Sequence, residues 1–333
     1  MRMTSYAAGI LRLTLAGLVA AGVAGVPSAR GQAQSQQKGP QSDQTLKAQT
    51  TVVNVFATVR DRHHAIISEL AEKDFKILED GQEQKVAFFS RERNLPITLG
   101  VLMDTSGSMG RILNAEQDAA SRFLERVLRK NDEAMVISFD LDVNLLADFT
   151  ADISVLERAI RRTVINAPSQ GIGGTVGTIP TQGGGTNLYD AIYLAAHDEL
   201  ATEAGRKAII LLSDCEDTGS RVRIQEAIEA AQRADTVIHV LLIRDFMATS
   251  GVGPSVASKM STETGGRVID VHNEKTLEKA FDEIAEELSS QYVLGYYPTN
   301  EKRDGTFRKI QVEVVSHPEA KVTARKGYYA PRK

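Results

Sequence analysis

The chain has 333 residues, 42% of them hydrophobic and 25% charged, an ordinary globular composition with length enough for two domains or one elaborated one. Its 43 acids and 39 bases give a formal net charge of -4, and the bases are dispersed, which excludes the basic footprint of a nucleic-acid binder. The single Cys215 excludes an internal disulfide, so the fold must hold by its core.

The amino terminus reads as an address. Arg2 precedes the apolar run "LTLAGLVAAGVAGV" (Leu13 to Val26), and small residues suited to signal peptidase follow near Gly31 and Ala33. Residues 1–33 are therefore expected to be a signal peptide. Its removal takes Arg2, Arg12 and Arg30 and no acid, leaving an acidic, exported chain without a further transmembrane segment. An uncleaved anchor is the alternative, disfavoured by the shortness of the run; no cysteine follows it to carry a lipid. Residues 34–49 have almost no apolar side chains and read as a disordered linker.

Residues 50–94 are a β flank. "TVVNVFATVRD" alternates as a strand does, and in "DFKILEDGQEQKVAFF" the pair Asp80-Gly81 separates two strand-like runs, a hairpin signal. Residues 95–290 then alternate strands with helices, the mark of a parallel sheet covered on both faces. "LPITLGVLMD" is a buried strand, and "ILNAEQDAASRFLERVLR" puts Ile112, Ala115, Ala119, Phe123 and Val127 on one helical face. "EAMVISFD" and "VNLLADFT" form a strand pair, followed by helices at "ISVLERAIRRTV" and "NLYDAIYLAAHDEL". Strand "KAIILLSD", helix "RIQEAIEAAQRA", strand "TVIHVLLI", helix "PSVASKMSTET", strand "RVIDV" and helix "TLEKAFDEIAEEL" complete a doubly wound, mainly parallel α/β sheet. The Gly-rich "SQGIGGTVGTIPTQGGG" (Ser169 to Gly185) is a loop without the phosphate-cradling G-x-x-x-x-G-K-[ST] pattern.

Residues 291–333 return to β patterning in "QYVLGYYP", "FRKIQVEVVS" and "KVTARKGYY". Neither flank has strands enough for a stable sheet. The two are expected to pair into one small β-sandwich, with the α/β domain inserted between them.

Ligands of an open parallel sheet bind beyond the carboxyl ends of its strands, where the strand order reverses. Asp104 ends the first α/β strand and Asp214 ends "KAIILLSD"; in the common doubly wound order these strands are neighbours. Ser106 and Ser108 follow Asp104 at alternate positions, and Thr186 in "GGGTNLYD" stands before the helix that feeds the Asp214 strand. Three hydroxyls and two carboxylates, with no sulfur or imidazole, suit Mg²⁺, with Mn²⁺ or Ca²⁺ as other hard-ion candidates.

"DTSGSM", "GGGTNLYDAI" and "LLSDCEDTGS", in that order, resemble the metal-ion-dependent adhesion site of von Willebrand factor A domains. The resemblance runs from about Pro96 to Ser289. The flanking "DFKILEDGQEQKVAFF" and "SSQYVLGYYPTNEKRDGTFRKI" extend it to the bacterial VWFA-related family of exported proteins. It implies that Ser106, Ser108 and Thr186 ligate the ion directly, and that Asp104 and Asp214 hold it directly or through water. An ion ringed by neutral hydroxyls keeps charge to spare, so its open position should favour an Asp or Glu carboxylate of a partner protein.

Other readings of the same residues are weaker. Ser106 and Ser108 could serve only as helix caps. A hydrolase elbow G-x-S-x-G fails because Ser106 stands where its first Gly belongs, and no motif places a His. The sequence thus reads as a metal-dependent protein-binding or adhesion module of the cell envelope or exterior, periplasmic or secreted, and not as an enzyme. A metal-dependent hydrolase using the same ion and a structural subunit of an envelope complex are the alternatives. One departure from the family pattern is Cys215, where Gly usually follows the strand-ending Asp: the turn there either has negative φ or tolerates strain. Its thiol is either a redox or metal group or a small side chain that merely fits.

Overall fold

The computed structural model describes residues 52–91, 95–165, 185–244 and 252–332. The expected signal peptide, the linker and most of the Gly-rich loop lie outside the described residues.

The amino-terminal flank supplies β1 (Val53–Arg60), β2 (Phe75–Glu79), β3 (Gln82–Gln84) and β4 (Val86–Ser90). β2 and β3 pair antiparallel with Glu79 opposite Gln82. Between them Asp80 (φ 48°) and Gly81 (φ 82°) both lie in the left-handed region, the turn geometry that the right-handed twist of a hairpin selects and that Asp-Gly tolerates.

The α/β segment runs β5 (Ile97–Asp104), α1 (Leu113–Val127), β6 (Glu133–Phe139), β7 (Val143–Thr150), α2 (Ile153–Arg161), α3 (Leu188–Tyr193), β8 (Arg206–Ser213), α4 (Ile224–Arg233), β9 (Thr236–Ile243), α5 (Val252–Thr264), β10 (Val268–Val271) and α6 (Glu274–Ser289). The strands form one sheet in the order β10-β9-β8-β5-β6-β7, all parallel except β7, which runs antiparallel to β6. β5 and β8 are neighbours at the reversal, as the sequence predicts. Every residue of both is buried, which is why they read as continuous apolar runs rather than alternating ones. Leu99, Val101 and Met103 of β5 pack with Phe123, Leu156, Phe281 and Ile284 of α1, α2 and α6 on one face. Leu102 of β5 with Ile209 and Leu211 of β8 packs against Ile192, Ala227 and Met260 of α3, α4 and α5 on the other.

The carboxyl-terminal flank supplies β11 (Tyr292–Tyr296), β12 (Phe307–Val314), β13 (Lys321–Ala324) and β14 (Gly327–Tyr329). Two four-stranded sheets result, β13-β1-β11-β4 and β14-β12-β2-β3, and each takes strands from both flanks. Val55, Ala57, Ile77, Leu294, Tyr296 and Ile310 fill one core between them. The run "KVTARKGYY" is not one strand: β13 pairs with β1 and β14 with β12. The chain changes sheets at Arg325, whose guanidinium ion-pairs with Asp235 and donates to the Asn54 carbonyl.

The sandwich meets the α/β sheet at the amino ends of the parallel strands. Arg60 of β1 donates to Glu287 at 3.0 Å, and Arg267, just before β10, donates to the same carboxylate at 3.1 Å. Asp235, the partner of Arg325, lies just before β9. The carboxyl ends, where Asp104 and Asp214 stand, point the other way.

Candidate metal centre

Asp104 is the last residue of β5 and is fully buried. One carboxylate oxygen accepts from the Ser106 amide at 2.9 Å, closing a short turn that brings the chain out of the sheet. The other accepts from the Ser213 hydroxyl at 2.6 Å. That hydroxyl also accepts from the Cys215 amide at 2.8 Å, so one side chain ties the end of β5 to the loop after β8. Asp214 repeats the first arrangement, accepting from the Glu216 amide at 3.1 Å. Both carboxylates therefore stand on adjacent strand ends, each in a turn closed on the second residue downstream.

Ser106 and Ser108 are 3.0 Å apart through their hydroxyl oxygens. Ser106 occupies the capping position of the 3-10 turn Gly107–Arg111, yet its side chain makes no capping hydrogen bond, and α1 starts from Ile112, also without a side-chain cap. The cap reading of these hydroxyls fails on that geometry. Thr186 is buried. Its amide donates to the Thr218 hydroxyl at 3.0 Å and its carbonyl accepts from the Thr218 and Gly219 amides at 3.1 and 3.2 Å, so it is fastened to the loop that follows Asp214.

Several contributors are not singled out by sequence reasoning. Asp140, after β6, accepts from the Thr105 hydroxyl at 2.7 Å, while its carbonyl accepts from the Asn187 amide at 2.7 Å. It braces the Asp104 and Thr186 segments together; the signal for it is a third strand ending in Asp, "EAMVISFD". Ser213 is legible only as the neighbour of Asp214. Gly253 of α5 is forced, since a Cβ there would fall 2.1 Å from the Asp214 carbonyl oxygen; the helix start presses directly on the loop that carries Asp214. Glu116, on the first turn of α1, is fully buried, and neither of its oxygens has a hydrogen-bond partner.

The electrostatics are those of crowded anions. Burial, with repulsion from Asp214, pushes Asp104 up to about 6, against the hydrogen bonds from Ser106 and Ser213. Burial and the charges of Asp104 and Asp214 push Glu116 well above the usual carboxylate range. Buried like charges are relieved by taking up a proton, as these shifts register, or by a compensating cation. Among the described residues no group of three or more His, Cys, Asp or Glu side chains is placed to hold a metal ion by itself, so the hydroxyls would have to contribute. A hard divalent ion fits this donor set of oxygens. Beside it opens a cleft lined by Ser108, Arg111, Ile112, Ala115, Arg244 and His272, among others.

Cys215 has φ 59° and is fully buried. Of the two conformations left open by the sequence, the strained one is present. Burial, then Asp214 and Asp104, push its thiol well above the ordinary range, so it is an inert thiol packed in the core rather than a reactive one.

Residues 99–220, a span holding all five candidate ligands, match the model of the von Willebrand factor type A domain. The chain carries a von Willebrand factor type A domain. A search of curated proteins finds no match. Among solved structures, the A domain resembles the conserved hypothetical protein BatB of Bacteroides thetaiotaomicron, at 19% identity and a TM-score of 0.45 over 58% of this chain and 97% of that one. It also resembles the vWF domain of the type V pilus tip protein Mfa5 of Porphyromonas gingivalis, at 16% identity and a TM-score of 0.44 over 58% of this chain and 94% of that one. A third similar structure is proximal thread matrix protein 1 of the mussel byssus with a zinc-occupied MIDAS motif, at 12% identity and a TM-score of 0.47, covering 62% of this chain and 48% of that one. Among the described residues no helix is long and apolar enough to cross a membrane.

Proposed function

We propose that this protein is an exported, non-enzymatic binding module whose A domain takes a divalent ion of the Mg²⁺ type and uses it to capture an Asp or Glu carboxylate of a partner protein. The supporting observation is the Ser213 bridge: it draws Asp104 and the Asp214 loop together at adjacent strand ends while the Ser106 and Ser108 hydroxyls stay free of capping duty. Ser106, Ser108 and Thr186 would hold the ion, with Asp104 and Asp214 directly or through water. When bound, the ion supplies a Lewis-acidic position that an anionic oxygen can complete.

The fold serves this role by orientation. The sandwich occupies the amino ends of the strands, leaving the carboxyl-end face and its cleft open toward a partner. Arg111 and Arg244 on the cleft wall add positive charge that favours an acidic segment, although both also interact within the chain, Arg244 with Asp270 at 2.9 Å, and Glu274 lines the same cleft. A serine nucleophile is disfavoured, because the Ser108 hydroxyl is engaged with Ser106 rather than with a base; a metal-dependent hydrolase using the same ion would also need a general base beside it.

Calorimetric titration of the wild-type chain and of Asp104→Ala with Mg²⁺ tests the reading. Uptake by the wild type with loss in the variant is expected, and the variant should remain folded. Equal affinities would refute the assignment. Capture of a protein from envelope extract in Mg²⁺ that fails both in EDTA and with Asp104→Ala would carry it to the partner.

A further inference from the structure

Glu116 is hard to account for as a packing residue. It sits on the sheet-facing side of α1, fully buried, with neither carboxylate oxygen partnered. Polar neighbours on the same helix are satisfied: Gln117 donates to the Thr163 carbonyl and hydroxyl, both at 2.9 Å, and the Ser121 hydroxyl donates to the Gln117 carbonyl at 2.8 Å. The charges that act on Glu116 are those of Asp104 and Asp214, and both repel it. A glutamine or a methionine would fill the same space without that repulsion. A buried carboxylate that no protein group compensates either takes up a proton or is balanced by positive charge from outside the chain.

We propose that Glu116 is a third carboxylate of the cation site, supplied by α1 in addition to the two hydroxyls, the threonine and the two aspartates at the strand ends. The inference rests on the metal-binding reading above and deepens it. The ligand is a hard divalent cation with ordered water, on which Glu116 acts by its charge and through that water, as outer carboxylates of metal sites do. With three carboxylates instead of two, the site retains its ion before any partner arrives, and the partner's carboxylate completes a centre that is already loaded.

The test uses the full chain and Mn²⁺ as the probe, in wild type, Glu116→Gln and Glu116→Asp. Affinity is read by calorimetry and thermal unfolding is followed in EDTA and in Mn²⁺. Glu116→Gln is expected to unfold in EDTA no earlier than wild type, because a like charge has been removed, while its Mn²⁺ affinity falls about tenfold and its Mn²⁺-induced rise in unfolding temperature shrinks. Glu116→Asp, which keeps the charge on a shorter arm, should lose less affinity than Glu116→Gln. Wild-type affinity in Glu116→Gln would overturn the inference while leaving the metal site standing, and so would a variant that is destabilised in EDTA but binds Mn²⁺ normally. A wild-type chain that takes up no Mn²⁺ would overturn the metal-binding reading itself, and this inference with it.

Discussion

The Ser213 hydroxyl donates to Asp104 at 2.6 Å and accepts from the Cys215 amide at 2.8 Å. Two strand ends that lie 109 positions apart in the chain are thereby locked at a spacing set by a single oxygen atom. Removing that oxygen leaves a buried carboxylate with an empty acceptor site, at a cost of about 1.5–3 kcal/mol for a hydrogen bond to a charged group. Ser213→Ala is therefore expected to lower the unfolding free energy by that amount, read as a lower urea midpoint, and to weaken Mg²⁺ binding several-fold. Urea unfolding and calorimetry on the same variant check both effects; unchanged metal affinity would show that the bridge is purely structural.

Cys215 holds a backbone conformation that costs a side-chain-bearing residue about 1 kcal/mol or more, yet its side chain is buried in the core. In Cys215→Gly the relief of strain and the loss of packing oppose each other. Stability should stay within about 1 kcal/mol of wild type, and Mg²⁺ affinity should be kept or slightly raised. Loss of metal binding would mean that the sulfur is a ligand or a structural contact. Because the thiol is enclosed, a thiol reagent should modify the native chain slowly and the urea-unfolded chain at once.

Each sheet of the sandwich draws strands from both flanks, and Tyr292 of β11 donates to the Ile67 carbonyl at 2.8 Å across the insertion. A fragment of residues 95–290 is expected to fold alone, since both faces of its sheet are covered by its own helices. Residues 50–92 alone are expected to stay unfolded. Amide exchange on each fragment decides the matter, and strong protection in the isolated flank would contradict a shared sandwich. The 95–290 fragment should be modestly less stable than the same segment within the full chain, because Glu287 loses Arg60 there.

His239 of β9 is fully buried and neither ring nitrogen has a hydrogen-bond partner. Burial lowers its pKa; Glu287 opposes that, while Arg267 and Arg60 reinforce it. A folded-state value below the unfolded one means that the neutral ring contributes stability above about pH 6.5. That contribution is lost as pH falls from there toward the folded value, by up to about 1.4 kcal/mol per pH unit. His239→Leu should match wild type near pH 7.5 and unfold at a higher temperature than wild type near pH 5.5. Parallel curves for the two proteins across that range would show that the ring titrates normally.

The sequence alone determined the elements and the candidate ligands. Apolar runs bounded by Asp mark buried parallel strands, because such strands have no solvent face to alternate with. The Asp80-Gly81 pair marks a hairpin because few residues accept positive φ at two consecutive positions. Asp104, Ser106, Ser108, Thr186 and Asp214 were legible because each stands at the edge of a predicted element. Only the tertiary structure decided how those edges are held and what lies behind them. The Ser213 bridge, the Asp140 brace and the pressure of Gly253 on the Asp214 loop are pairings across long stretches of chain, and hydrogen-bond geometry of that kind leaves no periodic trace. Glu116 reads in sequence as one more acid on an amphipathic helix. Its meaning comes from burial beside two other carboxylates, since the energy of a charge is set by the dielectric and the neighbours that the folded chain puts around it.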